Sequence, residues 1–117
     1  MRILIIDDDP TVLLIARRSL EVRGHVVEAR SEPLGTTNAV RHFRPDVVVL
    51  DLSMPALDGP HLARLISAAK LDVRLVLYSS VDPRELEAKA AELGADAFVH
   101  KSNPEDLVLV VEGLDAK

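Results

Sequence analysis

Val47-Val48-Val49-Leu50-Asp51-Leu52-Ser53-Met54-Pro55 holds the clearest structural signal in the chain. It begins with four apolar residues, three of them β-branched, and no polar residue alternates with them. Such a run suits a strand covered on both faces, as in a parallel sheet. An aspartate follows at once. Ile3 to Ile6 has the same character and runs into Asp7-Asp8-Asp9. Leu75 to Tyr78 leads to Ser79-Ser80, and Ala97 to Val99 leads to His100-Lys101. Val26-Val27 is a fifth, weaker strand candidate.

Prolines punctuate the intervals. Five of the seven sit where a helix could begin: Asp9-Pro10, Glu32-Pro33, Gly59-Pro60, Asp82-Pro83 and Asn103-Pro104. Proline suits the first helical turn, where its missing N–H would have no partner anyway. Asp9, Asp82 and Asn103 are good N-cap residues, and Glu85 stands at capping-box distance from Asp82. Leu62, Leu65, Ile66 and Ala69 form one helical stripe. Leu86, Ala90 and Leu93 form another, with Gly94 as the expected left-handed end. Gly35 is expected to interrupt the second helix, and the last helix to run from Pro104 to about Glu112 and stop at Gly113.

Strand and helix alternate five times, which predicts an α/β fold with a five-stranded parallel sheet and helices on both faces. With 117 residues the expected organisation is one domain, residues 1–117, with no room for a second. A net charge of −5 argues against a general nucleic-acid binder, and only 3% aromatics leaves few rings for stacking on bases. No cysteine is present, so thiolate metal sites and cysteine nucleophiles are excluded. No apolar run approaches the ~20 residues of a membrane span. The short apolar start turns acidic at once, unlike a signal peptide, and a cytoplasmic location is expected.

In parallel α/β sheets, ligands gather at the carboxyl ends of the strands. If the first and third strands are neighbours, Asp7, Asp8 and Asp51 cluster there. Clustered carboxylates repel, and a hard divalent cation such as Mg²⁺ relieves them through oxygen ligands. Lys101, one of only four lysines, supplies further positive charge, and a serine hydroxyl supplies a donor. An aspartate, a metal, a lysine and a hydroxyl together suit acceptance of a phosphoryl group.

Ile3-Leu4-Ile5-Ile6-Asp7-Asp8-Asp9-Pro10, Val48-Val49-Leu50-Asp51-Leu52-Ser53-Met54-Pro55 with Asp58-Gly59, Tyr78-Ser79 and Phe98-Val99-His100-Lys101 together resemble the receiver domain of two-component response regulators. The resemblance spans essentially the whole chain. It implies a flavodoxin-like sheet of order 2-1-3-4-5. It implies that Asp51 accepts the phosphoryl group, and that Asp7, Asp8 and Asp51, with the Ser53 backbone carbonyl, hold Mg²⁺. Lys101 and Ser79 then contact the phosphoryl group, and Ser79 with Phe98 forms the conformational switch. The implied donor is a histidine kinase or a histidine phosphotransfer protein, and the implied chain is a monomer or weak dimer that is not an enzyme in its own right.

Four features depart from the family pattern. Lys101 is followed by Ser102 rather than by proline in a cis bond; a cis bond before serine costs about 3 kcal/mol. The hydroxyl is serine rather than threonine, and Ser80 stands where a small apolar residue is usual, although register favours Ser79. The others are Gly35 and the short final helix.

Plainer roles compete. Asp9 reads first as a helix cap, Asp58-Gly59 as a turn, Tyr78 as strand packing, Phe98 as a core or half-buried aromatic, and His100 as a solvent-facing strand end. Val12, Leu13, Leu14, Ile15 and Ala16 are more apolar than one buried stripe requires. Val12 or Leu14 is therefore a candidate docking residue for the phosphodonor. Two other functions compete with this reading: a pseudo-receiver that acts without phosphorylation, and a phosphohydrolase with an aspartyl-phosphate intermediate. The latter wants an acid/base two residues beyond Asp51, where Ser53 stands. A nucleotide-binding role lacks a glycine-rich loop.

Overall fold

The computed structural model describes residues 1–32, 35–52 and 72–115. Five strands are present: β1 (Arg2–Ile6), β2 (Val26–Arg30), β3 (Val47–Leu50), β4 (Arg74–Ser79) and β5 (Ala97–His100). They form one parallel sheet in the order β2-β1-β3-β4-β5. Among the described residues the helices are α1 (Pro10–Glu21), α2 (Thr36–Phe43), α3 (Pro83–Leu93) and α4 (Pro104–Asp115). The predicted stripe at Leu62, Leu65, Ile66 and Ala69, the Asp58-Gly59 turn and Ser53 lie outside the described residues.

The sheet divides the core into two layers. Leu13, Ala16 and Leu20 of α1 and Leu107, Val111 and Leu114 of α4 pack with Ile3, Ile5, Val47 and Val49 on one face. Ala39 and Val40 of α2 and Leu86, Ala90 and Leu93 of α3 pack with Leu4, Ile6, Val48 and Leu50 on the other. Successive strand residues point to opposite faces, so apolar residues in unbroken runs are what β1 and β3 need. All four residues of β3 are buried. The edge strands are less covered, and Val26 and Phe98 are exposed.

Local chemistry sets the helix ends. The Asp9 carboxylate accepts N–H bonds from Thr11 (2.9 Å) and Val12 (3.3 Å) at the start of α1. Asp82 accepts from Arg84 N–H (2.9 Å) at the start of α3, and Gly94 closes that helix in the left-handed conformation. Two expectations at helix ends are corrected. Gly35 does not interrupt α2 but precedes it as the N-cap, at φ +81°. That left-handed backbone is costless only for glycine. The last helix continues through Gly113 to Asp115, because Val111 and Leu114 bury their side chains against the sheet. Packing outweighs the ~1 kcal/mol helix penalty of one glycine. Glu112 on α4 also bonds Arg23 (3.0 Å) and His25 (2.9 Å), fastening the approach to β2.

Leu77 is fully buried at the middle of β4, whereas Leu109 is 68% exposed on α4. Leu77→Ala is expected to lower the unfolding free energy by about 2–5 kcal/mol in urea denaturation followed by circular dichroism. Leu109→Ala is expected to change it by less than about 0.5 kcal/mol. Similar losses at both sites would contradict the layer assignment.

Candidate functional site

The parallel register places four chemical groups at one end of the sheet. Asp51 continues the β1–β3 ladder by donating its N–H to the Ile6 carbonyl (3.0 Å), which sets it beside Asp7. Lys101 continues the β4–β5 ladder by donating its N–H to the Ser79 carbonyl (2.9 Å). Because β1, β3, β4 and β5 are consecutive in the sheet, Asp7, Asp51, Ser79 and Lys101 are neighbours along its carboxyl edge.

Asp7 and Asp51 are buried, with 1% and 2% exposure, whereas Asp8 is exposed. One oxygen from each of Asp7, Asp8 and Asp51 lies within 4.8 Å of the others. The Lys101 ammonium reaches into this cluster. Its Nζ is 2.7 Å from Asp7 Oδ2 and 3.4 Å from Asp51 Oδ2. Asp7 Oδ1 accepts the Asp9 N–H at 2.9 Å, which fixes the carboxylate plane. Asp9 thus caps α1 and orients Asp7 through its own amide.

The electrostatics follow from one ammonium shared between two buried carboxylates. Burial pushes the Asp7 carboxyl above the ordinary carboxylate value; Lys101 and the Asp9 N–H pull it down, and the Asp51 charge raises it again. Burial also disfavours the Lys101 ammonium, but the Asp7 hydrogen bond and the charges of Asp7 and Asp51 outweigh it, so its pKa is raised. The lysine gains from two partners while Asp7 has only a share of one cation.

Three ionised carboxylates against one ammonium leave two formal negative charges. A donor set of hard carboxylate oxygens, with an exposed member at its mouth, fits a divalent cation that keeps some of its water. The residues present therefore suit the cation that the sequence implied. Ser53, the remaining implied ligand, lies outside the described residues.

This strand-end carboxylate cluster occurs on a chain whose residues 3–112 match the model of the response regulator receiver domain. The chain belongs to that family. Response regulator MprA from Mycobacterium sp. (strain KMS) is 33% identical over 101 residues, covering 86% of this chain and 44% of the relative. The receiver domain thus spans less than half the length of the curated relatives it matches. A LuxR-family two-component response regulator from Aurantimonas sp. SI85-9A1 superposes with a TM-score of 0.87 at 32% identity, covering 98% of this chain and 84% of that one. A CheY-like receiver protein from Methanospirillum hungatei JF-1 gives a TM-score of 0.85 at 26% identity, covering 98% and 94%.

Around the receiver site, Ser79 is buried and Ser80 exposed, so position on β4 separates the two hydroxyls. Val81 N–H donates to Ser79 Oγ at 3.4 Å. Tyr78 packs in the core, as expected. Phe98 is 40% exposed on the edge strand β5, which fits the half-buried reading rather than the core one. It lines a cleft of about 430 Å³ with Leu86, His100, Leu109 and Val110.

On α1, Leu14 and Ile15 are exposed, whereas Val12 is partly buried against the core. The inward stripe of Leu13, Ala16 and Leu20 leans toward the Val12 side of the helix, so Leu14 is the exposed one of the two candidates, with Ile15 exposed beside it. His100, read as facing solvent, is partly buried and hydrogen-bonded to Ser102. The Lys101–Ser102 bond is trans, like every peptide bond among the described residues.

A group whose folded pKa is raised contributes its full stability below its unfolded pKa and loses it as pH climbs through the folded value. For Asp7, ionisation at neutral pH is therefore a cost to the fold. Asp7→Asn is expected to raise the melting temperature at neutral pH in the presence of a chelator, with the gain fading as pH falls toward about 4. A lower melting temperature at neutral pH would show that Lys101 outweighs burial.

Proposed function

We propose that Asp51 is the phosphoacceptor of this receiver domain, that Asp7, Asp8 and Asp51 hold Mg²⁺, and that Lys101 and Ser79 attend the transferred group. The support is the position of the Lys101 ammonium between Asp7 and Asp51, within a carboxylate cluster spanning 4.8 Å. That arrangement gives Asp51 an oxygen nucleophile with positive charge on its flank.

The donor is a phosphohistidine on a histidine kinase or phosphotransfer protein, and acetyl phosphate substitutes for it. A carboxylate oxygen of Asp51 forms a bond to phosphorus as the bond from phosphorus to the histidine nitrogen breaks. The electron pair stays on that nitrogen, which then takes a proton from water. Asp7, Asp8 and Asp51 would hold Mg²⁺, which would supply positive charge against the oxygens of the transferring group. Lys101 pairs with the same oxygens once they are near Asp51, releasing part of its hold on Asp7. Ser79, at the end of the adjoining strand, donates its hydroxyl to them, and Phe98 changes its packing with it. The phosphoryl group adds a charge of about −1.5 to −2 at the sheet edge and so biases an equilibrium between two packings. Leu14 and Ile15 are the apolar contact for the donor, on the helix that starts beside Asp7. Downstream partners are set by whatever protein reads the face around Phe98.

Incubation with radiolabelled acetyl phosphate and Mg²⁺ is expected to label the protein. The label is lost in Asp51→Asn and on chelation of the metal. With a phosphohistidine donor, Leu14→Glu slows transfer. Labelling that survives Asp51→Asn places the acceptor elsewhere and overturns the proposal.

A further inference from the structure

Lys101 has a long, flexible side chain, yet its ammonium must sit at a defined place between two carboxylates. Holding it there requires a fixed backbone, and the turn that carries it is tied at both ends. Its own N–H donates to the Ser79 carbonyl at 2.9 Å. Beyond it, Asn103 N–H donates to the His100 carbonyl at 3.0 Å, so Lys101 and Ser102 occupy the two corners of a tight turn.

Inside that turn the His100 ring makes two contacts. Ser102 N–H donates to His100 Nδ1 at 3.1 Å, and Ser102 Oγ lies 2.7 Å from the same nitrogen. A peptide N–H can only donate, so Nδ1 presents its lone pair. Ser102 Oγ is then a second donor to it, and the proton of the neutral ring is on Nε2. At the first position of such turns, asparagine and aspartate commonly accept the N–H two residues on. Here an imidazole takes that part. A proline at 102 would have no N–H to give, so the device depends on Ser102 as well as His100.

We infer that His100 is a positioning residue for Lys101: its Nδ1 grips Ser102 and holds the turn that aims the ammonium at Asp7 and Asp51. For phosphoryl transfer this rests on Asp51 being the acceptor, as proposed above. The placement of the ammonium itself does not depend on that assignment.

Asparagine carries an acceptor where Nδ1 stands, and glutamine carries one a bond farther out, where Nε2 stands. His100→Asn is therefore expected to label with acetyl phosphate and Mg²⁺ within about twofold of the wild-type rate. His100→Gln and His100→Leu are expected to be about tenfold slower, less than the roughly hundredfold that a full 1 Å misplacement can cost. In the metal-free protein, the Lys101 side-chain methylene resonances should keep their wild-type positions in His100→Asn. In the Gln and Leu variants they should move toward those of a solvated lysine. Equal rates and equal Lys101 resonances in all three variants would overturn the inference. So would an Asn variant that behaves like the Leu variant. If the wild type takes no label at all, the assignment of Asp51 fails, and the metal-free resonances still decide the role of His100.

Discussion

Two buried carboxylates on neighbouring strands share one ammonium. Asp7 and Asp51 are almost completely removed from water, and each would repel the other without a cation close by. Lys101 supplies it from the end of β5, three strands from β1 and two from β3, at 2.7 Å from Asp7 and 3.4 Å from Asp51. Neither carboxylate is fully compensated, and burial keeps the Asp7 carboxyl above its usual range. A fold assembled for stability alone has little reason to keep such a cluster; the proposed role in holding a metal ion and receiving a phosphoryl group supplies one.

The sheet makes this juxtaposition possible. Parallel order β2-β1-β3-β4-β5 aligns the carboxyl ends of four adjacent strands, and ladder bonds carry the order one residue past β3 and β5, to Asp51 and Lys101. The apolar layers beneath hold that edge rigid. Asp9 adds a second constraint, since one residue both starts α1 and presents its amide to Asp7. Helix initiation and carboxylate orientation are thereby coupled.

Much of this was legible in the residues. β1, β3 and β4 are buried on both faces, so they must be continuously apolar, and their runs stand out in the sequence. β2 is an edge strand with mixed burial, and only Val26-Val27 signalled it. Gly35 and Gly113 misled for opposite reasons: one is needed before a helix, the other is carried along by packing on either side. The site residues were visible because each follows an apolar run, although their meeting depended on the strand order. What could not be read was reach. No pattern says that Lys101 lies nearer to Asp7 than to Asp51, or that the histidine before it grips the serine after it. Those are side-chain geometries, set by a turn whose only trace in the sequence is a serine where a proline was expected.

Belonging to the receiver family ties the chain to two-component signalling, and the chain spans 44% of its MprA relative. We propose that the strand-end carboxylates form a divalent cation site. Titration of the ¹⁵N-labelled protein with Mg²⁺, followed by amide resonances, tests it most directly. Saturable shifts are predicted at Asp7, Asp8, Asp51 and Lys101, and their loss in Asp8→Asn. Shifts that never saturate, or that persist unchanged in that variant, would contradict it.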